Sequence, residues 1–259
     1  MSKFRFDVVS LFPEAFKNFF NHGLIKKAFE EKIASIHIHN PRDHAMDNYR
    51  KVDDEPYGGG AGMVLKPEPY FSVCDQIPKF NKRRILLMTP QGRRISQSDF
   101  SRWSKEDQIV LICGGYEGFD ERIRTLADEE ISIGDFVLTG GEIPAITVIN
   151  GVVRLLPGTL GSTESLKEES HNDFLLEHPQ YTRPSNFRGM KVPDILLSGN
   201  HKLIRDWRQK QREIRTKFRR SDLYELWKID QLSVHKKSSS LKCEVSLRIR
   251  NQYESYPDW

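Results

Sequence analysis

The segment IVLICGGYEG, residues 109–118, joins an apolar run to a glycine-rich turn. Two other segments have the same form, namely ILLMTPQG at 85–92 and FVLTGGE at 136–142. A short apolar run bounded by glycine is typical of a buried strand, and ligands of open α/β sheets bind beyond the carboxyl ends of the strands. Each turn alone would be weak evidence, but the three together predict a ligand cleft at one edge of a sheet.

The chain around these segments continues the alternation of strands and helices. The runs predicted as strands are 4–11, 33–39, 84–88, 109–113 and, less regular, 136–139. Between the first two, residues 14–32 have a helical spacing of apolar residues that Gly23 interrupts. This pattern predicts an α/β domain with a largely parallel sheet.

Composition excludes several classes of protein. With 37% hydrophobic and 29% charged residues in 259, the chain is neither disordered nor membrane-embedded. No stretch reaches the roughly 20 apolar residues of a membrane span, and Asp7 lies where a signal peptide would be apolar. We therefore expect a cytoplasmic protein without a membrane partner. The net charge of +4 agrees with a polyanionic partner but does not select one.

Cysteine and histidine spacing gives no reason to predict a metal site. Cys74, Cys113 and Cys243 are far apart and form no CxxC pair. His37 and His39 are two apart on a predicted strand, but no third ligand accompanies them at a recognisable spacing.

The amino-acid composition changes near residue 161. The polar, serine-rich sequence there predicts a linker at 162–173, between a first domain at 1–161 and a second at 174–235. At 236–259 a tail of unassigned role follows, in which 241–249 alternates like a strand.

Residues 201–220 predict a basic amphipathic helix. Its apolar stripe comprises Leu203, Trp207, Ile214 and Phe218. Nine cations surround that stripe: Lys202, Arg205, Arg208, Lys210, Arg212, Arg215, Lys217, Arg219 and Arg220. Such a face is either simply solvated or attracts a polyanion, and the sequence alone leaves both interpretations open.

The charge around the predicted cleft limits the class of ligand that it can bind. Residues 129–147 contain four acids and no Lys or Arg, which suits a cationic or neutral ligand better than a phosphate. The glycine-rich loop 56–63 lacks the Lys-Ser/Thr ending of a phosphate loop. It is either a surface turn or a place where a flat base lies against bare backbone. The sulfonium of S-adenosylmethionine is permitted by this charge but not selected by it.

Nine motifs resemble the bacterial tRNA (guanine-N1)-methyltransferases of the SPOUT superfamily. They extend to about residue 230, and the tail after 235 lies outside the resemblance. The motifs are SLFPE (10–14), NPRD (40–43), VDDEPYGGGAGM (52–63), TPQGR (89–93), GGYEGFDER (114–122), SIGDFVLTGGEIPA (132–145), LPG (156–158), HPQYTRP (178–184) and VPDILLSGNH (192–201).

The resemblance implies a fold that periodicity does not reveal, an α/β domain whose parallel sheet contains a deep trefoil knot, followed by a small, mainly helical C-terminal domain. It also implies that S-adenosylmethionine binds in the turns of the knot. The residues so implied are Thr89, Pro90, Gly114, Gly115, Tyr116, Glu117, Ile133, Gly134, Asp135, Phe136, Val137, Leu138, Gly140, Gly141 and Pro144.

The implied reaction is methylation of N1 of the guanosine immediately 3′ of the tRNA anticodon. That nitrogen carries a proton, so a general base is needed, and a cation near O6 stabilises the developing charge. By resemblance the cation is Arg154. The base is usually an aspartate, whereas alignment back from LLEHP puts Glu169 there; Asp173 is the fallback, and Glu168 with Glu169 as mere linker charges is the alternative.

The resemblance also implies the contacts with RNA and the assembly. The implied substrate-binding residues are Asp53, Gly59, Gly60, Gln180, Arg183, Lys202 and Arg208, with Gln180 standing where many relatives have histidine. A homodimer is expected, in which the linker and helical domain of one subunit close over the knot of the other, and Mg²⁺ is implied for the transfer step. Rival hypotheses are a SPOUT methyltransferase with another RNA target, a catalytically silent tRNA-binding protein and an enzyme of nucleotide phosphates.

Overall fold

The computed structural model describes residues 3–160, 170–171 and 173–235. Glu168, Glu169, most of the predicted linker and the tail with Cys243 lie outside these residues. The chain divides into two compact units, Met1–Ser162 and Thr163–Trp259, and each is described by itself.

The first unit is built on a parallel sheet. Its strands are β1 (Phe4–Val9), β2 (Ala34–His39), β3 (Asp53–Asp54), β4 (Val64–Leu65), β5 (Arg83–Arg94), β6 (Gln108–Cys113) and β7 (Glu129–Ser132). Five of them form the sheet in the order β2-β1-β6-β5-β7, with every neighbouring pair parallel. The short strands β3 and β4 pair with each other in antiparallel fashion.

Helices cover both faces of this sheet. They are α1 (Glu14–Lys17), α2 (Gly23–Glu30), α3 (Pro67–Gln76), α4 (Gln97–Trp103) and α5 (Glu142–Val153), with 3₁₀ turns at Phe19–Asn21, Pro41–His44 and Glu121–Leu126. Alternate strand residues enter two separate cores: Leu86 and Leu111 pack in the cluster that includes α5, and Leu87 and Ile112 in the one that includes α3. Because both faces are buried, the central strands are continuously apolar.

The prediction of a strand at 136–139 is wrong. The fifth strand is β7, whose first residues are the acids Glu129 and Glu130. Glu129 accepts hydrogen bonds from Arg102 at 2.6 and 2.8 Å and from Arg93 at 2.6 Å, so its charge is compensated at the sheet edge. The other four predicted strands are found with slightly different ends. The helical stretch 14–32 is divided before Gly23, whose φ of +60° suits glycine.

A buried carboxylate connects three strands at the centre of the sheet. Asp7 of β1 is fully buried and accepts hydrogen bonds from His39 Nε2 at 2.8 Å, from Arg5 Nε at 2.8 Å and from Gln108 Nε2 at 2.7 Å. Burial alone would raise the pKa of Asp7, but these hydrogen bonds outweigh it and hold the pKa well below its usual range.

The second unit is a hairpin followed by helices. Its elements are β8 (Asn186–Phe187), β9 (Met190–Lys191), α6 (Asp194–Leu197), α7 (His201–Arg219) and α8 (Ser221–His235). No helix in the described part of the chain is both long and apolar enough to cross a membrane.

Helix α7 forms where it was predicted, but its buried face is not its apolar stripe. Leu203, Ile214 and Phe218 of the apolar stripe are exposed, Phe218 by 82%. The buried residues are Arg212 and Thr216, on the opposite side of the helix. Arg212 forms an ion pair with Asp173, and Thr216 Oγ1 accepts from the Leu176 amide at 2.8 Å. Polar contacts with residues 173–176 therefore decide which face turns inward.

Candidate functional site

A cavity of about 320 Å³ opens at the carboxyl edge of the sheet, where a bulge at residues 89–92 of β5 meets the turns after β6 and β7. Thirteen of the residues implied by resemblance line it: Thr89, Pro90, Gly114, Gly115, Tyr116, Glu117, Ile133, Phe136, Val137, Leu138, Gly140, Gly141 and Pro144. Gly134 and Asp135 do not line it. Gly134 accepts from Ser132 Oγ at 2.8 Å and so shapes the turn, while exposed Asp135 pairs with Arg94 at 3.2 Å.

Main-chain contacts hold the turns after β6 and β7 together. The Gly141 amide donates to the Gly114 carbonyl at 2.9 Å, and Gly115 and Gly140 form an antiparallel bridge. A Cβ atom on Gly141 would lie 2.7 Å from Cys113 Cα and 2.9 Å from Gly114 N. Glycine is therefore required at position 141 for the two turns to meet.

A bulge within β5 leaves the sheet and returns to it. Met88 and Arg93 both pair with Ile131 of β7, so residues 89–92 form a loop between two contacts with the same residue. Within it, Thr89 Oγ1 accepts from the Gln91 amide at 3.3 Å. Gly92 packs against the main chain of Ile131 so closely that a side chain would collide with it. The β5 loop is thereby fixed beside the cavity.

The glycine-rich loop 56–63 is attached to the same cavity. The Glu117 amide donates to Met63 O at 3.0 Å, the Leu65 amide donates to Gly118 O at 2.9 Å, and the Glu117 side chain lies against Gly62. Asp53 lies on β3, while Gly59 and Gly60 are exposed at φ of +78° and +137°. The loop presents bare backbone next to a residue that lines the cavity.

Nine further residues of the cavity wall lie outside the set implied by the resemblance. Four of them, Met88, Gln91, Gly118 and Thr139, belong to the three segments that predicted the cleft. The additional lining residues are Met88, Gln91, Gly118, Phe119, Glu121, Arg124, Ile131, Ser132 and Thr139. Arg124 is the informative one, because it brings a cation to a cavity whose acids had predicted a cationic or neutral ligand. It donates to Glu121 at 2.8 Å and to Gln91 at 2.7 Å, and it is paired with Glu130. The carboxylates of Glu121 and Glu130 compensate the charge of Arg124. In the sequence, the i,i+3 spacing of Glu121 and Arg124 indicates the first of these ion pairs.

Arg154 lies elsewhere in the first unit. It is the C-cap of α5 and lines a second cavity of about 640 Å³. That cavity is formed with Asn18, Phe19, His22, Gly23, Leu24, Ile25, Asn150 and Val153. The structure therefore does not bring Arg154 into the first cavity. Helix α5 begins at the turn of Gly141 and ends at Arg154, and its 12 residues span roughly 18 Å at 1.5 Å per residue.

The remaining implied residues lie in the second unit. Gln180 is exposed and donates to Glu177 Oε1 at 2.6 Å. Arg183 and Lys202 are exposed, and Arg208 is half-buried on α7. Asp173, the fallback base, pairs with Arg212 and also accepts from the Leu175 amide at 3.3 Å. Arg212 is buried, whereas the cations Lys202, Arg205, Lys210, Lys217 and Arg219 of α7 are exposed.

Comparison with known proteins identifies the family of the chain. The family model described as tRNA (Guanine-1)-methyltransferase TrmD matches residues 4–226. A tRNA (guanine-N(1)-)-methyltransferase of Synechococcus sp. strain WH7803 is 65% identical over 228 residues, which cover 88% of this chain and 94% of that protein. The protein of the same name from Prochlorococcus marinus strain MIT 9312 is 58% identical, over 86% of this chain and 91% of its own length.

A more distant relative of that name, from Nostoc punctiforme, is 56% identical over 85% of this chain and 93% of that protein. The family model spans both compact units, including every turn of the first cavity. The chain therefore belongs to the tRNA (guanine-1)-methyltransferase family.

Proposed function

We propose that this protein transfers the methyl group of S-adenosylmethionine to N1 of the guanosine immediately 3′ of the anticodon in tRNA. The observation that carries the proposal is the cavity at the carboxyl edge of the sheet, lined by 13 residues that the family resemblance assigns to the methyl donor. The names of the relatives support the class of reaction and the RNA substrate.

The cavity suits the donor in size and chemistry. Small-molecule sites occupy about 300–1,000 Å³, and this cavity of about 320 Å³ lies at the lower end of that range. Phe136, Val137 and Leu138 offer apolar surface for a flat ring, and glycine turns offer backbone groups. Glu117 contributes negative charge for a sulfonium. A deep trefoil knot is part of the proposal and rests on the family resemblance alone.

Bound donor would supply a methyl group activated by its positive sulfur, and the residues of this chain would prepare the guanine to accept it. We assign Glu169 the removal of the N1 proton and Arg154 the stabilisation of negative charge on the O6 side. Asp173 is the weaker choice for the base, because its carboxylate already holds Arg212 and the Leu175 amide. Taking up a proton there would disrupt that contact.

The position of Arg154 supports a homodimer. The cation lies about one α5 length, roughly 18 Å, from the turn that would hold the donor. A site that uses both the donor and Arg154 is completed most simply when a second subunit contributes residues to the cavity. Exposed Phe19 and Leu24 beside Arg154 offer apolar surface for such contact. In this arrangement the segment 162–173 closes over the partner, and Lys202, Arg183 and Arg208 hold the tRNA.

Other parts of the site have less defined roles. Asp53, Gly59, Gly60 and Gln180 are proposed to contact the target nucleotide. In the described residues no group of three or more His, Cys, Asp or Glu side chains could hold Mg²⁺, so no step is assigned to that ion. We place the protein in the cytoplasm, where tRNA is modified.

Mass spectrometry of unmodified tRNA incubated with protein and donor tests the proposal. The expected product is one added methyl group on the nucleoside 3′ of the anticodon, with the chromatographic behaviour of 1-methylguanosine. A tRNA with adenosine at that position is the matched control and should stay unmethylated. Methylation at another base or on ribose would favour the rival methyltransferase, and donor uptake undetectable by calorimetry would favour the silent binding protein.

A further inference from the structure

The hairpin formed by β8 and β9, residues 186–191, presents two apolar side chains side by side. Phe187 and Met190 are directly opposite in the antiparallel register, so they share one face. The turn residues Arg188 and Gly189 have φ of +52° and +82°, as in a type I′ turn, and the Val192 amide donates to Ser185 O at 2.9 Å. This turn and closing bond fix the geometry of the pair.

Both side chains face solvent within this chain. Phe187 is 55% exposed and Met190 is 66% exposed, and residues 180–191 are exposed throughout. Single exposed apolar residues need no explanation. A phenyl ring and a thioether that lie opposite each other at a turn of fixed geometry instead indicate a binding surface. Two side chains expose far less surface than the roughly 800 Å² per partner of a stable protein interface.

The charge around this pair has one sign. Arg183, Arg188 and Lys191 are exposed cations, and residues 178–193 contain no Asp or Glu. The Arg188 guanidinium lies over the Phe187 ring, 5.3 Å from its centroid. An aromatic platform flanked by cations is the arrangement with which proteins bind single-stranded nucleic acid, stacking a base while the cations hold the phosphates.

We propose that this hairpin is a stacking platform for an unpaired base of the tRNA, held against Phe187 and Met190. The proposal rests on the proposed function for its choice of RNA. A polyanion with exposed flat bases matches both the charge and the apolar pair, whereas a protein partner would match only the apolar pair.

Fluorescence titration with tRNA carrying 2-aminopurine at single loop positions tests the platform. Wild-type protein should change the emission at one of these positions on binding, as stacking does. Phe187→Ala should abolish that change and weaken binding roughly tenfold or more, while Phe187→Trp should restore both. Phe80→Ala is the matched control, because Phe80 is also a partly exposed ring with a guanidinium, that of Arg5, 6.0 Å away.

The salt dependence of tRNA affinity distinguishes the contribution of the stacking platform from that of the neighbouring cations. Arg188→Gln should lower the slope of log K against log salt by about 1, and Phe187→Ala should leave the slope unchanged. Unchanged 2-aminopurine emission and affinity in Phe187→Ala would overturn the platform even if the protein methylates tRNA normally. Loss of an oligomer in that variant, with RNA affinity retained, would instead show that the pair contacts protein. Failure of methylation with an intact stacking signal would overturn the proposed function alone.

Discussion

The Ser10 hydroxyl donates a 2.6 Å hydrogen bond to the Glu142 carboxylate, joining residues that are 132 positions apart in the sequence. Ser10 is buried just after β1, and its oxygen also accepts from the Phe12 amide at 3.0 Å. Glu142 is the first residue of α5, directly after the glycine turn of the cavity. The hydrogen bond therefore fixes that turn to the N-terminal segment.

Ser10→Ala should weaken the binding of S-adenosylmethionine about fivefold, because losing a hydrogen bond to a partly buried carboxylate costs about 1 kcal/mol and loosens the turn. Isothermal titration calorimetry measures the change. Ser101→Ala is the control, since that hydroxyl bonds only to Gln97 O in its own helix at 3.2 Å. Equal donor affinity in wild type and Ser10→Ala would show that the bond does not support the cavity.

Gly141→Ala should lower the free energy of unfolding by about 1–3 kcal/mol and abolish donor binding, because the added methyl group would meet the backbone of residues 113 and 114. Gly115→Ala is the matched control in the same cavity. Its Cβ would lie 3.9 Å from Thr139 O, an ordinary contact. Urea denaturation should separate the stabilities of the two variants, and equal losses would contradict the close approach at Gly141. Calorimetry compares donor binding in Gly141→Ala with that of wild type.

Asp7→Asn should destabilise the first unit by about 3 kcal/mol, because buried Asp7 would no longer balance the charge of Arg5 and its hydrogen bonds would be mismatched. Urea denaturation at neutral pH measures the loss. In the control Asp43→Asn, an exposed ion pair with Arg50 is removed, and a change under about 1 kcal/mol is expected. A comparable small change in Asp7→Asn would mean that the network is not stabilising.

Glu129 should make stability depend on pH in the acid range. Burial would raise its pKa, but hydrogen bonds from Arg102, Arg93 and Trp103 lower it to about 2. Since the folded pKa is below the unfolded value of about 4.3, the contribution is fully present above that value and is lost as the pH falls toward 2. The stability of Glu129→Gln, measured in urea, should fall less than that of wild type between pH 7 and about 3. Parallel pH profiles would exclude this assignment.

Glu169→Gln and Arg154→Ala should each nearly abolish methylation while donor binding remains largely intact, because each removes a group that acts on the guanine. Asp173→Asn is the matched comparison for the base. It should destabilise the second unit by weakening the pair with Arg212 but keep most of the activity. Single-turnover methylation and calorimetry measure both properties. Full activity in Glu169→Gln, together with its loss in Asp173→Asn, would move the base to Asp173.

The sequence predicts the sheet well where burial on both faces makes strands apolar. Residues 109–113 and 84–88 have this pattern, and β6 and β5 include them. It fails at β7, whose acids Glu129 and Glu130 resemble a surface segment until their arginine partners are known. The partners of Glu129 come from β5 and α4, which are 27–36 residues away in the sequence, so no local pattern could supply them. Only the partner of Glu130, Arg124 of the 121–126 turn, is near in sequence.

The candidate site also has a part that the sequence predicts and a part that it does not. Glycine turns after apolar runs indicate a cavity at the strand ends, and the structure has one there. Arg154 could not be placed by spacing, because its position depends on where α5 ends relative to the cavity. The inward face of α7 was also unpredictable, since Arg212 and Thr216 are buried by polar contacts that hydrophobic periodicity does not represent.

The parallel sheet has a consequence for how the chain is made. β1 lies between β2 and β6, and Val9 pairs with Ile112, about one hundred residues further on. At a synthesis rate of about 5–20 residues per second, an apolar strand that leaves the ribosome first waits roughly 5–20 s for that neighbour to be translated. During that interval one edge of β1 is unpaired and open to aggregation, so the yield of folded enzyme depends on chaperones and on the speed of translation.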